Sequence, residues 1–289
     1  MRRALSTMKL SPYFDLTKPA VTLLLVLAGV AGSFLANPAS NINGFVISFI
    51  ALYIATSGIN AVTNYIDRDI DGKMRRTLKR AIPSGRIKPN NALIFGAVLL
   101  IISIFIAWMA SPYSSFWILF GVIFDPLLYN WFSKRRTAFN ILIGSLAGGA
   151  PVFVMWSGIT DKLFALAPFY LFMIIVIWTP IHIWSISIRY YDDYKAAEIP
   201  MLPVVYGKKL ASRMIGAFAL LLMVFTTAIG IVELSFYLLI LIEILNLIML
   251  LLSFKTILSS SERDSFRVFI YTNIYLAIIF IIIILNRLL

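Results

Sequence analysis

With 289 residues, 61% of them hydrophobic and 13% charged, and a mean hydropathy of +0.91, the sequence is not that of a soluble globular chain. Cysteine is absent, which excludes disulfides, thiolate metal sites and iron–sulfur clusters; the lone histidine, His182, excludes a histidine-built zinc or di-iron centre. The formal charge of +12 would suit nucleic acid, and only the placement of the charges decides against it.

Apolar stretches recur from end to end and predict an all-α helix bundle in the membrane. Nine spans are expected near 20–36, 44–66, 91–110, 114–132, 138–158, 163–188, 211–232, 234–254 and 266–286, each long enough to cross a bilayer. No segment between them is long enough to bury a core, so residues 1–289 read as one transmembrane domain. Of the 25 Lys and Arg, only Lys162 and Arg287 fall outside the N-terminal tail and the loops after even-numbered spans. That asymmetry places the N-terminus and those loops in the cytoplasm of a cell-membrane protein. The basicity is a topology signal, and nucleic acid is not expected as a partner. The first apolar run lacks a small-residue cleavage pattern and is read as a retained helix.

The tail 1–18 is basic and amphipathic and ends at Leu16-Thr17-Lys18-Pro19, where proline suits a helix start. Span two runs into the stretch that organises the chain, residues 60–88. If its helix continues, Asn60, Asn64, Asp67 and Asp71 share a face, while Asp69 turns roughly 160–200° away. Two carboxylates one turn apart suit a hard divalent cation such as Mg²⁺. The cations Arg75, Arg76, Lys79, Arg80 and Arg86 suit the phosphates such a metal would carry. A solvated loop of mixed charge is the plainer alternative. Pro83 stops the helix before span three.

Span four carries Asp125 with Tyr129 and Asn130. An acid inside a span is costly, so the three either face a polar cavity or Asp125 pairs with a neighbouring backbone group or cation. Gly144 and Gly148 on span five permit close packing, and Asn140 is a candidate polar contact there. Span six holds Pro180 and His182, and its end releases Asp192, Asp193 and Lys195 on the same side as Asp67 and Asp71. Two acid clusters at two helix ends suit a two-metal diphosphate clamp, and two unrelated loops would look similar. Glu243 and Asn246 lie within span eight without an assignable role.

Four stretches carry a family likeness: Asn64-Tyr-Ile-Asp-Arg-Asp-Ile-Asp71; Lys134-Arg-Arg-Thr137 with Asn140-Ile-Leu-Ile-Gly144 and Gly149-Ala-Pro151; Trp178-x-Pro180-x-His182-x-Trp184; and Asp193-Tyr-Lys-Ala-Ala197 with Pro200-Met-Leu-Pro-Val-Val205. The chain resembles the UbiA superfamily of intramembrane prenyltransferases, and within it the haem O synthase (protohaem IX farnesyltransferase) family, over roughly residues 13–215. Departures include Thr63 where asparagine is frequent, Ala20 where arginine follows Lys-Pro, Ala81 and Val152 for prolines, Glu198 for glycine, and Asp125 where the residue is usually not acidic.

The resemblance implies transfer of a farnesyl group from farnesyl diphosphate to the vinyl group of haem B. Asp67, Asp71 and Asp193 would be catalytic, with Asp192 a further ligand of Mg²⁺. Asn60, Asn64, Arg76, Lys79, Arg80, Lys134, Arg135 and Lys195 would hold diphosphate, and His182, Trp184 and Asn140 the haem acceptor. It also implies a place beside haem A synthase or a terminal oxidase assembly. A quinone precursor or an archaeal lipid is the rival acceptor. An ion-coupled transporter is the distant rival, disfavoured because the acids cluster at one interface rather than at the midplane of related halves.

Overall fold

The computed structural model describes residues 12–288; the basic residues 1–11 of the predicted tail lie outside the described residues. A short helix α1 (Pro12–Leu16) leads into α2 (Pro19–Leu35) and α3 (Ile42–Ile66), and a single turn, α4 (Arg68–Asp71), follows α3 directly. Then come α5 (Pro89–Ala110), α6 (Pro112–Val122), α7 (Asn140–Thr160), α8 (Leu166–Arg189), the short α9 (Tyr191–Ala196) and α10 (Leu202–Tyr206), and finally α11 (Lys208–Glu233), α12 (Phe236–Ser259) and α13 (Glu262–Leu288). Among the described residues, eight helices are long and apolar enough to cross a membrane, counting α6 together with the stretch to Ser133. α2 is the ninth apolar helix, at 17 residues the shortest. Each of the nine expected spans thus corresponds to an apolar helix, eight of them long enough to cross a membrane.

Proline opens α2, α5 and α6, at positions where a missing N–H costs nothing. Side chains cap α3 and, beside its proline, α6: Gly44 N donates to Asn41 Oδ1 and Tyr113 N to Ser111 Oγ. Asn41 Nδ2 also donates to Ile159 O, and Ser111 Oγ to Asp161 Oδ1, so the turns before α3 and α6 are tied to the end of α7. α7 is therefore central, packed between α2, α3, α6 and α8. At Gly44 a methyl group would stand 2.2 Å from Gly158 O, so the α3–α7 crossing has no room for a side chain there. Outward faces are apolar, as on α5, where Ile94, Ile101, Phe105, Trp108 and Met109 are exposed to the lipid.

The loops fall into two sets at opposite ends of the bundle. The end carrying residues 67–88, 134–139 and 190–207 is charged, and these segments pack on one another. Ile70 and Met74 share an apolar cluster with Tyr194, Ala197, Ile199 and Met201. That cluster brings the two acid-rich loops together.

Two outcomes check this architecture. Cysteines replacing Ser84 and Lys208 should react with an impermeant maleimide from one side of the membrane, and those replacing Ser40 and Lys162 from the other; same-side labelling of Ser40 and Ser84 would break the span count. Gly44→Ala should lower stability by about 1–3 kcal/mol, read as a loss of thermal midpoint in detergent.

Candidate active site

Asp67 ends α3. Its backbone leaves helical geometry (φ −87°, ψ 3°), yet Asp71 N still donates to Asp67 O, so the two acids stay one turn apart. Both carboxylates are buried at 6% and 3% exposure, whereas Asp69 points outward. The helical-phase expectation holds across the break.

Each buried acid has a cation. Lys134 Nζ donates to Asp67 Oδ2 at 2.5 Å, and Arg80 Nη1 reaches both oxygens of Asp71 at 2.7 Å. Asp67 Oδ1 is buried with no hydrogen-bond partner. Asp69 instead takes a two-pronged contact from Arg135, at 2.6 and 2.8 Å, and that hydrogen bond pushes its carboxyl down to about 2.

Asp67 and Asp71 line a cavity of about 430 Å³. Its charged mouth is made by Lys18, Arg76, Arg80 and Lys134 with Asp67 and Asp71, and Asp125 joins the lining from within the helix that continues α6. Its deep wall is apolar, drawn from α2, α3, α6, α7 and α8 and including Leu25, Leu52, Ile59, Ile118 and Val154. His182 lies on that wall between the rings of Trp178 and Phe269, at centroid distances of 4.6 and 4.8 Å, and its Nδ1 is buried without a partner. The size and the mixed lining suit an amphiphilic ligand.

Lys18 is the residue that sequence reasoning missed. It has a left-handed backbone (φ 47°, ψ 64°) between α1 and α2, uncommon for a side chain of its size. Asn60 and Asn64 explain why it stays there. Asn60 Nδ2 donates to Thr17 O and to Thr22 Oγ1, and Asn64 Nδ2 donates to Leu16 O and Asn60 O. The two amides thus hold the strap that carries Lys18 into the cavity. Burial pushes the Lys18 ammonium down to about 8; Arg80 adds to the fall and the acids Asp67, Asp125 and Asp71 oppose it. Only the left-handed turn, invisible in a Lys-Pro dipeptide, signals this role. For Lys134, burial opposes the charge but Asp67 outweighs it, holding the ammonium above the ordinary lysine value.

The other expected residues are placed as follows. Arg76 lines the cavity, and its N–H donates to Asp193 Oδ2 at 3.4 Å; Asp193 thus abuts the cavity lining without joining it, and Asp192 is exposed beyond it. Lys79 and Lys195 are exposed, the latter over the Tyr191 ring. Arg135 sits outside with Asp69. Trp184 does not face the cavity. Two residues after His182 on a helix it is turned about 160° away, into the core against Phe218, and is fully buried. Asn140 also leaves the cavity: its Nδ2 donates to Thr137 O at the start of α7. Tyr129, Asn130, Tyr194 and Thr63 take places on the wall instead.

A divalent cation fits this site. The unpartnered Asp67 Oδ1, beside Asp71, offers hard oxygen ligands in a buried place. Among the described residues no third His, Cys, Asp or Glu joins them in a metal-holding group, so phosphate and water oxygens would complete the shell, as Mg²⁺ prefers.

The same fold recurs in solved structures. A digeranylgeranylglyceryl phosphate synthase superposes with a TM-score of 0.80 at 19% identity, covering 97% of this chain and 99% of that one. A UbiA homolog from Archaeoglobus fulgidus bound to GPP and Mg²⁺ gives 0.68 at 15% identity, over 94% and 99%. Sequence relatives are nearer. Protoheme IX farnesyltransferase from Thermoplasma acidophilum is 36% identical over 286 residues, 97% of this chain and 99% of its own length. Its counterpart in Picrophilus torridus is 36% identical over 95% and 94%. The family model described as the UbiA prenyltransferase family matches residues 22–279, from the first turn of α2 well into α13, and takes in the cavity lining except Lys18 and Val21. The acids Asp67 and Asp71, the cations Arg76, Arg80 and Lys134 and nearly all of the apolar wall are parts of one continuous match, and the chain belongs to the UbiA prenyltransferase family.

Proposed function

We propose that this prenyltransferase moves a farnesyl group from farnesyl diphosphate to a vinyl group of haem B, giving haem O, with Mg²⁺. Residues 1–289 form one transferase domain in the cell membrane, with residues 1–18, 67–90 and 189–210 on the cytoplasmic side, as the distribution of Lys and Arg supports. The observation that carries the reading is a buried acid pair, with one oxygen unpartnered, at the charged mouth of an apolar cavity. The choice of farnesyl and haem rests on the name borne by relatives 36% identical over nearly the full chain.

Asp67 and Asp71 would hold the metal, which supplies positive charge to the leaving diphosphate when bound. Lys134 and Arg80, already at the acids, turn their donors to the phosphate oxygens, and Arg76 and Lys18 meet the same group from the opposite walls. Asp193, with Asp192 beside it, braces the Arg76 backbone and supplies acid at the diphosphate's outer edge. The C–O bond breaks with its electron pair leaving on diphosphate. The allylic cation that remains lies against apolar walls that exclude water. Vinyl π electrons of haem then form the new carbon–carbon bond. Water adds to the resulting cation and loses a proton, leaving a hydroxyl. No activated nucleophilic side chain is needed. His182, flanked by two rings and with a free Nδ1, meets the haem through its iron or a propionate. A hydrophobic product made within the bilayer would pass laterally to haem A synthase or a terminal oxidase assembly.

Asp67→Asn and Asp71→Asn should each lower turnover by about 10²–10³-fold while the protein remains folded and inserted. Asp69→Asn, in an exposed pair, should be far milder, and equal loss at all three would sink the assignment. For the acceptor, purified protein given haem B, farnesyl diphosphate and Mg²⁺ should yield a pigment heavier by a farnesyl group and a hydroxyl. His182→Ala should lose haem affinity or turnover yet still bind farnesyl diphosphate. A preparation that prenylates a quinone precursor and leaves haem unchanged would discard the substrate and keep the family.

A further inference from the structure

Asp125 is an acid inside a membrane helix that the reaction above does not use. The helix around it is unusual. From Ile123 to Ser133, continuing α6, the chain winds as a π-helix, and the same i→i+5 bonding closes its end, Lys134 N donating to Tyr129 O. On an α-helix, residues five apart are turned roughly 140° from one another. In the wider turn they come together: Asn130 Nδ2 donates to Asp125 Oδ1 at 2.8 Å and to Asp125 O at 3.1 Å.

That bond decides which way the Asn130 amide faces. An ionised carboxylate only accepts, so the NH₂ end is committed to Asp125 and the carbonyl end faces the other way. There it accepts from Lys134 Nζ at 3.2 Å, and the same ammonium donates to Asp67. A reversed amide would turn N–H donors on an ammonium, which has no acceptor to offer. Gly144 leaves room for the arrangement, since a methyl there would stand 2.7 Å from the Tyr129 ring, which in turn lies 5.6 Å from Lys134 Nζ.

We infer that Asp125 is a positioning residue for Lys134: acting through Asn130, it holds that ammonium between Asp67 and the place where diphosphate binds. The inference rests on the prenyl-diphosphate reading of this cavity. Asp125 provides the orientation, Asn130 the acceptor, and Lys134 alone touches the substrate. When the ammonium leaves Asp67 for a phosphate, the Asn130 carbonyl keeps one of its three protons and limits how far it strays.

The test measures inorganic diphosphate binding to the full chain in detergent without Mg²⁺, by calorimetry, together with KM, kcat and the thermal midpoint. Asp125→Ala should weaken diphosphate binding and lower kcat/KM for farnesyl diphosphate by about tenfold, the scale of one charge-assisted hydrogen bond, with the loss shared between KM and kcat because Lys134 also meets the leaving charge. Asp125→Asn, which keeps an acceptor, should recover most of the loss. Asn130→Ala should match Asp125→Ala, and the double variant should be no worse than either. Multiplying losses, an unaltered affinity in Asp125→Ala, or an Asp125→Asn variant as weak as the alanine would overturn the inference. A wild-type protein that binds no diphosphate would overturn the prenyl-diphosphate reading beneath it, a result separate from any difference among variants.

Discussion

The site depends on two carboxylates buried where they cannot stand alone. An isolated buried charge costs several kcal/mol, and removing one partner of such a pair typically costs about 3–5 kcal/mol. Asp67 and Asp71 therefore recruit Lys134 and Arg80, which come from separate segments, the end of the π-helix and the loop after α4. The pairs clamp both segments over the cavity before any ligand arrives. They also leave the cations beside the place where phosphate negative charge would develop, so little rearrangement separates the resting arrangement from a loaded one.

Two departures from regular backbone complete the constellation, and both lie at the cavity. The left-handed turn at Lys18 brings in a cation from the start of the chain, held by the amides of Asn60 and Asn64. The π-helix brings Asp125, Tyr129, Asn130 and Lys134 to the same wall. Such conformations persist only where neighbouring contacts over-determine them, which here are hydrogen bonds to main-chain oxygens and a glycine beneath an aromatic ring.

The cavity is graded in the same sense as a prenyl diphosphate. Its charges gather at one end of the bundle, and below them the lining is aliphatic and aromatic down to His182 and beyond. A transporter site would place its charges near the midplane instead. The gradient follows from α3, whose upper turns carry Asn60, Thr63 and Asp67 and whose lower turns carry Leu52 and Ala55 on the same face.

Much of this was legible in residues alone. Hydropathy determined nine apolar helices, because a bilayer-length run admits few other structures. The three- and four-residue spacing of Asp67 and Asp71 determined that they share a face and that Asp69 does not, because helical phase survives a one-residue break in geometry. For Asp125, Tyr129 and Asn130 the cost of an acid in a span left a polar cavity and a local pairing both open, and the structure lines the cavity with all three. Tertiary structure decided the rest. Asn60 and Asn64 bond the strap, Arg135 takes Asp69, and Trp184 and Asn140 turn into packing, since a side chain's partner across the bundle has no trace in its own neighbourhood in sequence. Lys18 reached the cavity, and Asp125 reached Asn130, through backbone conformations that spacing at 3.6 residues per turn does not anticipate.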